Sequence, residues 1–343
     1  MFRLCLPQDK VRALHMNIGG QLPYQLRPNK AVERLVFLEL LSRLDPALNV
    51  GSDYRYIGFG GPQMEDFRLL HEPFPQMKML SLERDEDVLK RQRFNQPHTN
   101  VRCKLQASGD FISRLSDSGN MIIWLDYTDP AERPIQIAEF QSLLRNVRTT
   151  SIVKLTLNAA PATLGGNPGE VGLQAKRRAK FLEDFSRFFP TGLEEEGVEQ
   201  DNFPSTLLTV VDYAAAEALR DRKDWRFQPL TSAAYADGQQ MLTVTGMIGR
   251  RTIIKNVLNT SELATWEFGR LTWSDPVRIE VPELTLKERI HINQLLPKLT
   301  SNVAAIQKKL SFLLDTTESA SLRKLENYVS FQKHYPFWGK VAI

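Results

Sequence analysis

The sequence predicts an α/β protein whose mostly parallel sheet finishes in an antiparallel hairpin, with helical additions at both ends. Three features carry that expectation. Five short apolar runs alternate with helical patterns between residues 54 and 157, the rhythm of βαβ units. A glycine-rich turn, Gly58-Phe59-Gly60-Gly61, follows the first of them. Two longer strand-like stretches then flank Asp237-Gly238, a dipeptide suited to hairpin turns because both residues tolerate left-handed backbone.

The first element is a helix over residues 28–44. Pro28 suits a first turn, and Val32, Leu35, Val36, Phe37, Leu40, Leu41 and Leu44 make a broad apolar face; Asp45-Pro46 is expected to end it. Strands are expected over residues 54–59, 77–82, 101–107, 121–125 and 152–157, with helices at 64–71, 86–94, 111–115 and 134–146 between them. The run Met121-Ile122-Ile123-Trp124-Leu125 is apolar throughout, as in a strand covered on both faces. Past Asn158 comes a loop, a helix over 174–189, an exposed acidic stretch, and a strand over 205–211 leading into an alanine-rich helix at 213–220. From about Arg278 short helices return, the last over 319–331. The expected division is a helical extension at 1–49, the sheet domain at 50–277 and a helical appendage at 278–343. The tail carries Tyr335, Phe337 and Trp338, aromatic residues expected to dock on the chain's own surface.

Bulk properties narrow the class. The 343 residues suffice for one large α/β domain with additions or for two domains. A formal charge of +4 permits an anionic partner without requiring one, and Lys176, Arg177, Arg178 and Lys180 read as a solvated helix face before a nucleic-acid contact. The 2 cysteines and 5 histidines show no metal-ligand spacing, so no metal site is expected. No apolar run reaches the roughly 18 residues of a membrane span, and the N-terminus lacks a signal-like core, so a cytoplasmic protein is expected.

The chemistry-bearing residues gather at the carboxyl ends of the expected strands. Gly58 and Gly60 permit unusual backbone angles, and Gly61 lets a ligand approach the main chain. Glu83 closes the second strand at the spacing from the glycines where a carboxylate accepts hydrogen bonds from ribose hydroxyls; helix-start electrostatics is the plainer reading. Asp110 follows the third strand and suits an N-cap. The fourth strand ends in Asp126, Tyr127 and Asp129. Asp126 can orient or deprotonate an acceptor, Tyr127 can stack on a flat or cationic group, and Asp129 either contacts substrate or caps the next helix. Asn158 is placed on the same edge. Arg27, Asn29 and Lys30, beside Tyr24, can bind an anion or close the pocket, or can simply be solvated helix-start residues.

Residues 54–158 resemble the class I S-adenosylmethionine-dependent methyltransferases, whose sheet is Rossmann-like. IGFGGP matches their glycine motif, SLERD the second acidic motif, SGD the third and WLDYTDP the fourth. The segment LPYQLRPNKAVERLVFLELL followed by YIGFGG is further similar to bacterial O-methyltransferase-like proteins, some encoded near antiviral defence genes. The resemblance implies S-adenosylmethionine as cofactor, held by Gly58, Phe59, Gly60 and Gly61, with ribose on Glu83 and adenine near Asp110. It implies an acceptor placed by Asp126 and Tyr127, with Arg27, Asn29, Lys30, Asp129 and Asn158 around it. Two departures stand out. Tyr54-Arg55-Tyr56-Ile57 replaces the usual acid before the glycines, and no NPPY-type tetrapeptide is present, which disfavours methylation of base amines. A methyltransferase-fold scaffold or nucleotide-sensing subunit, joined to a protein partner through the C-terminal helices, is the alternative expectation.

Overall fold

Eight strands pair edge to edge in one sheet of order β3-β2-β1-β4-β5-β7-β6-β8. They are β1 (Tyr54–Gly58), β2 (Lys78–Glu83), β3 (Val101–Leu105), β4 (Asn120–Asp126), β5 (Ile152–Asn158), β6 (Trp225–Asp237), β7 (Gln239–Arg250) and β8 (Val277–Ile279). The computed structural model describes residues 27–115, 119–188, 192–299 and 302–335. Tyr24, Phe337 and Trp338 lie outside the described residues. Strands β1 to β5 run parallel, and β7 runs antiparallel to both β5 and β6. Gly238 makes the expected hairpin turn at φ 103°. Strand β8 is a parallel edge strand on β6 that the sequence did not announce. The chain winds outward from β1 through β2 to β3, then returns to place β4 on the other side of β1. The crevice between β1 and β4 is therefore the switch point where ligands sit in such sheets.

Helices cover both faces. On one lie α1 (Pro28–Leu48), the single turn α2 (Val50–Asp53) and α3 (Glu65–His71). The helix α4 (Glu86–Phe94) connects β2 to β3, and α5 (Ser108–Ser113) follows β3. On the other face lie α6 (Arg133–Asn146), α7 (Leu173–Phe185) and α8 (Phe203–Ala218). The first face also takes α9 (Arg251–Ser261), which the sequence reading left unassigned, and α10 (Leu286–Leu299), α11 (Val303–Leu310) and α12 (Glu318–Phe331). Ile292, Ile306, Leu325 and Phe331 of these last helices share one apolar cluster with Leu40 and Leu41 of α1. Tyr335 is buried and donates to the Pro282 carbonyl at 2.7 Å. Among the described residues, no helix is long and apolar enough to cross a membrane.

Two local expectations are corrected. The stretch 205–211 is not a strand; it is the middle of α8, with Pro204 in the first turn. Leu207, Leu208, Val210 and Val211, then Ala214, Ala215 and Ala218, repeat at helical spacing against the sheet. Seven residues rich in Leu, Val and Thr are too short for their period to separate strand from buried helix. Helix α1 also runs past Pro46 to Leu48. Proline gives up one hydrogen bond and crowds the carbonyl one turn back, a cost confined to the end of the helix here, and Asn49 ends the helix in left-handed conformation, its N–H donating to the Asp45 carbonyl at 2.8 Å.

The N-terminus of α1 is capped from across the molecule. Its own N-cap, Arg27, offers no capping side chain. Asp237 at the hairpin tip instead accepts from the backbone N–H groups of Asn29 (3.3 Å) and Lys30 (2.7 Å). The Asn29 side chain completes the staple. Its Nδ2 donates to the Ala236 carbonyl at 2.8 Å, and its Oδ1 accepts from the Val281 N–H at 2.7 Å. Asp237→Ala should lower stability by about 1–2 kcal/mol, the worth of a cap plus its helix-dipole complement, read as a shift in urea midpoint.

Candidate functional site

The fold brings the amino end of α1, the glycine turn and the carboxyl end of β4 together. The turn is open on one side only. A Cβ at Gly60 would meet the Met64 sulfur at 2.2 Å and the Ser81 hydroxyl at 2.8 Å, so this glycine is needed for internal packing. The Gly60 N–H donates to Ser81 Oγ at 3.0 Å, which ties the turn to β2. Gly61 differs. It has φ 52°, and a Cβ there would meet nothing within 4 Å. The surface beside Gly61 is therefore left free for a ligand. Gly58 is held against the Tyr56 hydroxyl, and Phe59 is half-exposed with its ring 5.8 Å from that of Tyr127.

Glu83 closes β2 one strand away. Its carboxylate accepts from the N–H groups of Arg84 (2.8 Å) and Asp85 (2.9 Å) and from Gln92 Nε2 (3.2 Å). Partial burial raises its pKa, against those amides. The side chain is thus fixed in place while half-exposed. Asp85, not Glu83, caps α4, through Asp87 and Val88. Asp110 lies exposed in the first turn of α5; the N-cap there is Ala107, so Asp110 does not cap.

At the end of β4, Asp126 faces a buried charge cluster that the sequence reading missed. Arg34 of α1 is 1 % exposed. Its guanidinium lies 2.9 Å from Glu33, 3.3 Å from Asp126 and 3.6 Å from Asp66 of α3, and it donates to the Tyr235 hydroxyl at 3.0 Å. Its cationic carbon lies 4.5 Å from the Trp124 ring centroid. Lys154, wholly buried in the middle of β5, is 2.6 Å from Glu33, and Thr243 donates to the same Glu33 oxygen at 3.1 Å. Burial pushes the Lys154 ammonium down to about 8, against the pull of Glu33. A signal was present in the sequence. Glu33-Arg34 interrupts an apolar helix face and Lys154 an apolar strand, and buried charges of this kind persist only when paired.

These neighbours set the chemistry of the two residues facing the crevice. Burial works to raise the Asp126 carboxyl, but Lys30, Arg34, Lys154 and the Thr156 hydroxyl together hold it below the ordinary range. Asp126 is thus a fixed negative charge and a poor proton acceptor near neutrality. Lys30 is the reverse. Burial and the nearby Arg34 push its ammonium down to about 8, against Asp126 and Asp66. Lys30 can therefore lose its proton in the working range.

The remaining sequence-derived candidates serve the scaffold or lie apart. The Tyr127 hydroxyl donates to Glu139, and burial together with that carboxylate raises its pKa, so only its ring remains available. Asp129 caps the short helical turn that follows, accepting from the Ala131 N–H at 2.9 Å. Asn158 is buried. Its Oδ1 accepts from the Ala160 N–H at 3.0 Å, and its carbonyl accepts from Arg133 at 2.8 Å, which ties the loops after β4 and β5. Arg27 stands half-buried at the start of α1. The basic run of α7 is occupied locally. Arg177 donates to the Gly165 carbonyl at 3.1 Å, Arg178 to Leu193, Lys176 pairs with Glu170 at 2.9 Å, and Lys180 with Glu183 at 3.0 Å. Among the described residues, no group of 3 or more His, Cys, Asp or Glu side chains is placed to hold a metal ion.

The profile of a family described as "Putative O-methyltransferase" matches residues 22–343. No curated protein matches the chain. Among solved structures, the plantazolicin methyltransferase BpumL is 11% identical, with 71% of this chain and 92% of that one covered at TM-score 0.40. A precorrin-6y C5,15-methyltransferase from Geobacter metallireducens is 14% identical, covering 62% and 86% at TM-score 0.33. The Methanococcus jannaschii fibrillarin pre-rRNA processing protein is 6% identical, covering 58% and 68% at TM-score 0.34.

Proposed function

Because the chain belongs to the family described as "Putative O-methyltransferase", a family of the S-adenosylmethionine-dependent methyltransferase fold, we propose that it methylates a hydroxyl oxygen of an acceptor bound between Lys30 and Asp126. One observation carries the placement of the cofactor. Asp110, Glu83, Gly58–Gly61 and Asp126 stand at or just beyond the carboxyl ends of four adjacent parallel strands, β3, β2, β1 and β4. At about 4.8 Å per strand they span roughly 14 Å, the scale of an extended nucleoside joined to an amino acid.

The residues fit S-adenosylmethionine. The open side of Gly61 leaves room for its backbone to be approached, Glu83 offers carboxylate oxygens to a ribose, and Asp110 stands free beyond. The acid missing from β1 has counterparts in space. Asp66 and Asp126 both act on the Tyr56 phenol, whose pKa burial and these charges raise. When bound, the cofactor supplies an electrophilic methyl group on a sulfonium. Lys30 in its neutral form takes the acceptor proton, and Asp126 steadies the resulting ammonium. The rings of Phe59 and Tyr127 flank the turn. Alignment supplies most of the acceleration, as in any in-line displacement.

Titration calorimetry with S-adenosylmethionine and S-adenosylhomocysteine tests this reading. Micromolar binding is expected. Gly61→Val should abolish it, while the left-handed backbone at that site costs stability by only about 1–2 kcal/mol. No binding to either compound at millimolar concentration sinks the enzymatic reading. It would favour a scaffold or nucleotide-sensing subunit, in a bacterial antiviral defence complex or elsewhere. Exposed Leu286 and Ile290, one turn apart on α10, are the observation that supports a protein partner for that second reading.

A further inference from the structure

A second concave site lies at the opposite end of the sheet, where β6 begins and β7 ends. It is a groove of about 510 Å³ between the last turns of α8, the first residues of β6 and the loop before β8. That size lies within the roughly 300–1,000 Å³ of clefts that hold small organic ligands. Its walls carry 5 basic side chains, Arg220, Arg222, Lys223, Arg226 and Arg251, and 1 acidic one, Asp212. The resulting excess equals the formal net charge of the whole chain, +4, so the rest of the molecule is balanced.

These cations are not neutralised by a carboxylate of the protein. None forms an ion pair with another described residue, in contrast to the basic run of α7. Arg222 Nη1 and Arg226 Nε are buried and make no hydrogen bond. Burial lowers the pKa of both guanidinium groups, and the nearby Arg251 adds to this at Arg226. Clustered like charges with unused donors imply an anion that completes them. The groove also has flat walls. The Arg222 guanidinium carbon lies 3.9 Å from the Trp225 ring centroid, and Trp273, half-buried, lies 6.1 Å from Phe227.

We propose that this groove binds a nucleotide, its phosphate on Arg222, Arg226 and Arg251 and its base against Trp225 or Trp273. Cation-lined grooves with stacking aromatics recognise phosphate and base together, with little dependence on base identity. The nucleotide is either a free molecule or one unit of a single strand. The site is independent of the methyl-transfer reading, since a strand's length of roughly 20 Å separates the two ends of the sheet.

The full-length protein is titrated with ATP by calorimetry and with a fluorescent single-stranded oligouridine by anisotropy. Both titrations contain excess S-adenosylhomocysteine, so that adenosine recognition at the glycine turn does not contribute. Saturable binding of ATP assigns the site to a free nucleotide, and binding of the oligouridine alone assigns it to a strand. In either case affinity should fall as salt rises, and Arg251→Glu, at an exposed position, should weaken binding at least about tenfold. Trp273→Ala should weaken it similarly, with the far-ultraviolet circular dichroism unchanged. Failure of both ligands to bind at millimolar ATP and at low salt overturns the proposal. So does binding that neither variant weakens. These outcomes stand apart from those at the glycine turn, which Gly61→Val reports.

Discussion

Glu33→Ala is expected to cost about 3–5 kcal/mol of folding free energy, the effect of breaking a buried ion cluster from one side. Glu33 is 5 % exposed and joins Arg34, Lys154 and Thr243. Without it, Lys154 loses its ion pair; its ammonium is left 3.7 Å from the Trp124 ring centroid and 4.1 Å from that of Phe37, with Asp66 and Asp126 acting on it through space. Urea unfolding should show a lower midpoint at unchanged slope. The loss should also depend on pH in a defined direction. A cation whose folded pKa is depressed binds fewer protons folded than unfolded, so stability rises with pH between the two values. For Lys154 that window runs from about 8 up to the ordinary 10.5. Losing Glu33 lowers the folded value further, so the deficit should narrow as pH rises towards about 8 and stay level from there to 10.5. Glu33→Met with Lys154→Met should recover part of the loss, because well-packed apolar groups replace buried ion pairs at little cost. A single-variant loss below about 1 kcal/mol, the size of an average substitution, would remove the cluster from the account of stability.

Lys30→Met is expected to reduce methyl transfer by about a hundred- to ten-thousand-fold, the usual contribution of a positioned general base. The acceptor is to be found first, by screening hydroxyl compounds with labelled methyl donor. The rate of the unaltered protein should rise with pH as Lys30 loses its proton near 8 and level off above it. The methionine variant should lack that inflection while still binding S-adenosylhomocysteine. Lys30→Arg should not restore the rate, because a guanidinium keeps its proton throughout this range. An unchanged pH profile in either variant would show that the acceptor loses its proton elsewhere. Asp126→Asn should act differently. It removes the charge that supports the Lys30 ammonium, so the inflection should move to lower pH and remain visible.

Much of this architecture was legible in local pattern. The alternation of apolar runs with helices located β1, β2, β4 and β5 to within a residue or two, and Asp237-Gly238 located the β6–β7 hairpin. These succeed because period, turn chemistry and burial on both faces leave marks on neighbouring residues. The stretch 205–211 failed because an apolar run in a helix buried against a sheet has the composition of a strand. The short β8 failed because 3 residues carry no period.

The candidate site divides along the same line. The sequence by itself determined the α/β class, the glycine turn, the acid that ends β2 and the acid that ends β4, since each follows from residue type at a strand's end. Only the tertiary structure decided what those groups can do. It locked the Tyr127 hydroxyl onto Glu139, gave Asp129 and Asn158 to the loops, and turned Asp237 into the cap of α1 across a sequence separation of 207. It also set Lys30 and Arg34 against Asp126, separated by 92 positions for the Arg34 contact. The physical reason is that reactivity depends on desolvation and on nearby charge, and both are fixed by which distant segments pack together.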